Sequence, residues 1–123
     1  MCRMLLSINP EHVKNILLGV KQFEFRKVRC KPDVVKIVIY ATAPQMMVVA
    51  EADIAKIIEG EIDEVWELTK NSSGISHAFF CAYYKGKKKA VAYQLQNVKT
   101  YKRPKPLADF GIKYPPQSFV YLT

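Results

Sequence analysis

Paired cysteines and clustered histidines are missing from this chain, and both absences exclude chemistry. Its three cysteines, Cys2, Cys30 and Cys81, are odd in number and far apart. They form neither a disulfide framework nor a C-x-x-C knuckle, so free thiols in a reducing compartment are expected. The two histidines, His12 and His77, stand alone with no H-x-x-x-H pair. No metal site is therefore expected, and both rings read as structural or solvent-exposed. No apolar run approaches the roughly 20 residues that a membrane span requires. The stretch after Arg3 is too short for the apolar core of a signal peptide, so a soluble, cytoplasmic protein without membrane attachment is expected. Internal repeats, low-complexity tracts and linkers are also lacking. With 50% hydrophobic residues, the 123-residue chain fits one domain spanning 1–123.

Acidic residues are absent where basic ones accumulate. Between Lys85 and Ala108 lie Lys85, Lys87, Lys88, Lys89, Lys99, Lys102, Arg103 and Lys105, and this stretch alone accounts for the net charge of +8. The middle of the chain is acidic through Glu51, Asp53, Glu59, Glu61, Asp63, Glu64 and Glu67. A molecule with one positive and one negative side is expected. Such a positive side suits a polyanion, and the interleaved Tyr93 and Tyr101 suit stacking on unpaired bases. A lysine-rich solvated turn around Gly86 is the other reading.

The densest signal is Gly19-x-Lys21-x-x-Glu24-x-Arg26. Before it, Asn9 is placed to cap a helix, Pro10 fits its first position, and Val13, Ile16, Leu17 and Val20 recur at helical spacing. Gly19 supplies the stop. From Lys21 the period changes to two, with Phe23 and Phe25 alternating against Gln22, Glu24 and Arg26. If the phenylalanines face a core, Glu24 and Arg26 share the opposite face and a charged triad lines one wall. An exposed ion pair worth less than about 1 kcal/mol is the competing reading.

The remaining chain reads as strands with a few helices. Strands are expected over 4–8, 21–29, 36–41, 47–58, 91–95 and 118–122. Helices are expected over 10–18, around Ile62, Val65, Trp66 and Thr69, and after Ser76 through Phe79, Phe80, Tyr83 and Tyr84. The periodic aromatics read as core.

Leu6-Ser7-Ile8-Asn9-Pro10, the Lys21/Glu24/Arg26 motif, Ile39-Tyr40-Ala41 and Glu51 in its Val-Ala-Glu-Ala run resemble the ASCH domain of the PUA-like superfamily. Glu64-Val65-Trp66-Glu67, Gly74-Ile75-Ser76, Tyr84-Lys85-Gly86 and Pro115-Pro116-Gln117-Ser118-Phe119 resemble a prokaryotic and phage subgroup of it. The resemblance implies an α+β fold, a small, mostly antiparallel β-barrel with two or three peripheral helices and a cleft beside the first helix. It places Lys21, Glu24 and Arg26 at that cleft, with Ser7, Tyr40 and Glu51 as neighbours and Tyr93, Gln117 and Ser118 beyond them.

Two functions follow as expectations. The first is an RNA- or nucleotide-binding module: Lys21 and Arg26 contact phosphate, Glu24 or Glu51 accepts from a base amino group, and a tyrosine stacks. Lys85, Lys87, Lys88, Lys89, Lys102 and Arg103 form its nucleic-acid surface. The second is a metal-independent hydrolase acting on RNA or on a modified nucleoside such as N4-acetylcytidine, with Lys21 and Glu24 as catalytic candidates. Relatives that resemble this motif and deacetylate N4-acetylcytidine carry a threonine where Glu24 stands, and a carboxylate cannot act as an alkoxide nucleophile. Ser7 is the one substitute hydroxyl. Neither reading calls for a cofactor. A protein-interaction domain docking through Trp66 on the acidic helix is a third class, favoured if Trp66 is exposed.

Overall fold

A computed structural model describes residues 2–122. Along the chain run β1 (Cys2–Ile8), α1 (Pro10–Leu17), β2 (Phe23–Arg26), β3 (Val34–Ala41), β4 (Met47–Glu61), α2 (Ile62–Thr69), α3 (His77–Tyr83), β5 (Lys89–Lys105) and β6 (Phe119–Leu122). Short 3-10 turns at Lys70–Ser72 and Leu107–Phe110 complete them.

The strands form one mixed six-stranded sheet in the order β2-β5-β4-β3-β1-β6. Pairing is antiparallel except between β1 and β3, which run parallel. The expected closed barrel is not seen: β2 and β6 are both edge strands, so the sheet stays open along one seam. The fold is α+β, as expected. Three register shifts between β4 and β5 bend these long strands, because each extra residue in a ladder increases local twist.

That bending lets one strand pair serve three apolar clusters. Leu6, Ile8, Ile37, Ile39, Ala50 and Tyr93 meet Val13 and Ile16 of α1 in the largest. Phe23 and Phe25 of β2 pack with Val65, Phe80 and Tyr84 from the helical layer of α2 and α3. On the reverse of β3, Val38 and Tyr40 pack with Leu5 and Val48, covered by Leu107, Phe110 and Ile112. β3 is thus buried on both faces, which explains its nearly continuous apolar run.

Local chemistry sets the helix ends. Asn9 Oδ1 accepts from Glu11 N–H at 2.9 Å, with Pro10 opening α1, and Ser76 Oγ accepts from Phe79 N–H at 3.0 Å to start α3. These caps satisfy donors that a first helical turn leaves unpaired. Gly19, at φ +81°, ends the turn after α1 in a conformation glycine tolerates. Val20 consequently leaves the apolar face that helical spacing assigned to it and is exposed, as is Leu17.

Two tyrosines expected at the cleft are structural. Tyr93 is buried, its hydroxyl accepting from Cys30 N–H at 2.7 Å and donating to Val28 O at 3.1 Å. It fixes the turn that follows β2. Tyr93→Phe would leave the buried Cys30 N–H without its acceptor, a loss of about 1–3 kcal/mol. Urea unfolding should show that decrease as a lower midpoint with an unchanged slope.

Candidate functional site

Three ionisable side chains from one short segment converge beside the free edge of β2. Lys21 and Glu24 are only 3% and 6% exposed, a burial that rules out the reading of a weak surface pair. Arg26 Nη2 and Nε donate to Glu24 Oε2 at 2.8 and 3.1 Å. Lys21 Nζ stands 3.9 Å from Glu24 Oε1, donates to Ser73 O at 3.2 Å and lies 4.8 Å from the centroid of the Phe25 ring. Arg26 also crosses the open seam of the sheet. Its Nη2 donates to Ser7 O at 2.9 Å and its Nη1 to Ser118 Oγ at 3.2 Å, linking β2 to β1 and to the residue before β6.

Close backbone approach fixes Lys21. Gly74 adopts φ +69°, and a Cβ placed there would sit 2.3 Å from Lys21 Cβ. No side chain fits between them. Gln22 N–H donates to Ser72 O at 2.8 Å, so the segment between α2 and α3 clasps the entrance to β2. Proximity to Glu24 alone favours the charged ammonium, but burial outweighs it and lowers the Lys21 pKa, with Arg26 adding to the lowering.

The triad opens onto a cavity of about 220 Å³ lined also by Ser7, Asn9, His12, Phe25, Phe79 and Tyr83. Because β2 is an edge strand, both its charged face and Phe25 reach this hollow. His12 was not foreseen. Its Nδ1 is buried with no hydrogen-bond partner, and its ring meets Phe79 edge-on at 5.3 Å. Burial, and then the charge of Lys21, hold its pKa below the usual 6.5. Phe79, expected in the core, is 48% exposed at the cavity rim. Helical spacing puts Phe79 next to Phe80, which is buried, and cannot distinguish the two faces of so short a helix.

Other expected site residues lie elsewhere. Tyr40 is 1% exposed in the cluster behind β3, and Tyr93 is in the core. Glu51 pairs with Lys36 at 2.8 Å and accepts from Tyr101 OH at 3.2 Å, which together lower its pKa. Gln117 is exposed and does not line the cavity. Ser7 does line it, although its hydroxyl donates to Pro116 O at 2.7 Å, and Ser118 supports Arg26.

Lys85, Lys87, Lys88, Lys89, Lys102 and Arg103 are all exposed, but β5 divides them. Lys89 and Lys102 are separated by roughly 40 Å of strand contour at about 3.3 Å per residue. The expected segregation of charge is also blunted: Glu61 pairs in register with Lys89 and Glu51 with Lys99. Trp66 packs at 4.9 Å from Phe80 and 5.0 Å from His77 and is partly buried, which leaves the docking reading unsupported. Among the described residues, no group of three His, Cys, Asp or Glu side chains is arranged to hold a metal ion. No helix among them is long and apolar enough to cross a membrane.

This mixed sheet with its helices is that of an ASCH domain. The chain belongs to the family described as Domain of unknown function (DUF365), whose family model matches residues 11–112. It is similar to the crystal structure of ASCH from Zymomonas mobilis, with a TM-score of 0.88 and 29% identity, covering 98% of this chain and 87% of that one. It is 31% identical over 93 residues to an ASCH domain-containing ribonuclease of Zymomonas mobilis subsp. mobilis, covering 75% of this chain and 63% of that protein. It is also 32% identical over 120 residues to a protein of Ureaplasma parvum serovar 3 named ATP synthase subunit alpha, covering 97% of this chain and 15% of that protein. The chain thus spans less than two thirds of the length of these curated relatives.

The pKa of His12 tests the packing of the site. Its unfolded form gains a proton near pH 6.5 while the folded ring resists protonation. Stability contributed by His12 is therefore complete above about pH 6.5 and declines as pH falls towards the folded pKa. Titration followed by NMR should place His12 below 6.5, and Lys21→Met should move it upward; an unmoved midpoint would place the lysine charge away from the ring.

Proposed function

We propose that this protein binds RNA by drawing an unpaired base and its phosphate into the cavity beside β2. One observation carries this reading: the basic side chains of Lys21 and Arg26 share a hollow with the aromatic rings of Phe25, Phe79 and Tyr83. Basic groups position a phosphate, and aromatic faces receive a base removed from its stack. The volume of about 220 Å³ lies below the range of about 300–1,000 Å³ typical of drug-sized ligands, which suits a single base. The name of the ribonuclease relative supports RNA as the polymer. Ser7, Lys21, Glu24 and Arg26 are the residues proposed to act at the site, with Ser118 positioning Arg26. The exposed Lys85, Lys87, Lys88 and Lys89 extend the contact along the backbone, and Lys102 and Arg103 serve a more distant segment.

A second reading, metal-independent RNA cleavage, is favoured by His12. An imidazole held neutral can accept the proton of a ribose 2′-hydroxyl as that oxygen attacks phosphorus, while Lys21 or Arg26 stabilises the developing charge. The P–O2′ bond forms as the P–O5′ bond breaks, leaving a 2′,3′-cyclic phosphate, and the departing 5′-oxygen takes its proton from water while His12 returns its own to solvent. Deacetylation of N4-acetylcytidine has less support. Glu24 Oε2 already accepts two hydrogen bonds from Arg26, so this carboxylate is an anchor for the guanidinium instead of a free nucleophile.

Binding of a fluorescent single-stranded RNA should weaken linearly with log salt, by a slope of about −0.7 per neutralised phosphate. Lys21→Met, with its fold verified by circular dichroism, should lower affinity by roughly 10- to 100-fold, the loss of one charged hydrogen bond of about 1.5–3 kcal/mol. A flat salt response with unchanged Lys21→Met affinity would remove the binding reading. Labelled RNA incubated in the presence of a chelator tests cleavage. Product should form with the unmodified protein and fall by about 100-fold or more in His12→Ala, within the usual contribution of general acid-base catalysis; equal product from both proteins would exclude His12 as the base.

A further inference from the structure

A second hollow of about 320 Å³ adjoins the first, lined by Asn9, Glu11, His12, Asn15, Gly74, Ile75, Ser76 and Phe79. The two share Asn9, His12, Ile75 and Phe79 as a common wall. That wall is an edge-to-face pair, His12 against Phe79, with an aromatic ring that is half exposed and an imidazole nitrogen that is buried and unpartnered. A buried polar atom without a partner costs free energy unless something supplies one. Among the described residues nothing does so for His12 Nδ1.

The chemistry of the two hollows differs. The first holds Lys21 and Arg26, and suits an anionic group. The second is lined by no lysine or arginine and carries Glu11, so a phosphate there would meet like charge; its Asn15 carboxamide and Ser76 hydroxyl suit neutral donors and acceptors. Taking the first hollow as a nucleotide site, we propose that the second is a subsite for the neighbouring nucleotide of the same RNA strand. It receives the base and ribose of that nucleotide, and the two bases lie on either side of the Phe79 partition. The natural ligand is therefore a dinucleotide step.

Titration with ribonucleoside 5′-monophosphates and with dinucleoside monophosphates, monitored by NMR on the intact chain, tests this. The best dinucleotide should bind at least about fivefold more tightly than either of its component mononucleotides, the lower limit of what one stacked base contributes. It should also shift the Asn15 and Ser76 amides, which the mononucleotides leave in place. Asn15→Trp, filling the second hollow, should reduce dinucleotide affinity to the mononucleotide level. Equal affinities in the unmodified protein, with no shift at Asn15 or Ser76, overturn the proposal. If mononucleotide binding still depends on Lys21 in that case, the first site stands and only the subsite fails. Absence of binding by every probe overturns both.

Discussion

The guanidinium of Arg26 is the constraint on which the site depends. A six-stranded sheet with two free edges puts β2 and the β1/β6 side at opposite ends of the strand order. Arg26 spans that gap by bonding Ser7 O and Ser118 Oγ while Glu24 holds its other donors. The planar, always-charged fork of arginine suits this role, whereas an ammonium offers no comparable two-sided geometry. Breaking such a buried pair by removing one partner costs about 3–5 kcal/mol, because the remaining charge has no counterion. The same pair defines the floor of the cavity, so local stability and site shape rest on one set of hydrogen bonds.

That arrangement limits what each charge can do. Glu24 neutralises Arg26 and stands near Lys21, leaving an excess of one basic group in a poorly solvated space. Burial lowers the Lys21 pKa for this reason, and Lys21 in turn lowers that of His12. An arriving anion would relieve both effects, since an opposite charge favours each protonated form. The approach of Gly74 to Lys21 adds a steric condition, since a side chain at 74 would collide with the lysine.

Much of this was legible in the sequence where periodicity changed. The switch from helical spacing to alternation at Lys21 located β2 and put Glu24 and Arg26 together, because alternate residues of a strand share a face, whereas Lys21 stands at the strand entrance and is held there by the approach of Gly74. Caps at Asn9 and Ser76 marked two helices for equally local reasons. Tyr40 and Tyr93 were misplaced because aromatic residues on a doubly buried strand look the same as those at a cleft. The outer half of β5 was missed since Gln96 to Lys105 has no apolar alternation and includes Pro104. Its pairing with β4 is a long-range fact. Closure of the barrel is likewise a matter of hydrogen bonds between distant edges, which no local pattern reports.

His12 and Phe79 illustrate a different limit. Each is isolated in sequence, and the two matter because α1 and α3 bring them edge to face in the wall of the cavity. A lone histidine on a helix is normally a satisfied or solvated group, and only its lack of a partner in the folded chain distinguishes this one. The same reasoning explains why the basic run misleads when read as a patch. Eight cations without an intervening acid suggest one surface, but an extended strand separates its ends and antiparallel pairing sets acidic β4 beside them. Charge near the site is therefore supplied less by the number of lysines than by two basic groups that the fold deprives of water. Desolvated charges interact through a lower effective dielectric, so Lys21 and Arg26 each act more strongly on the cavity they line than an exposed lysine does.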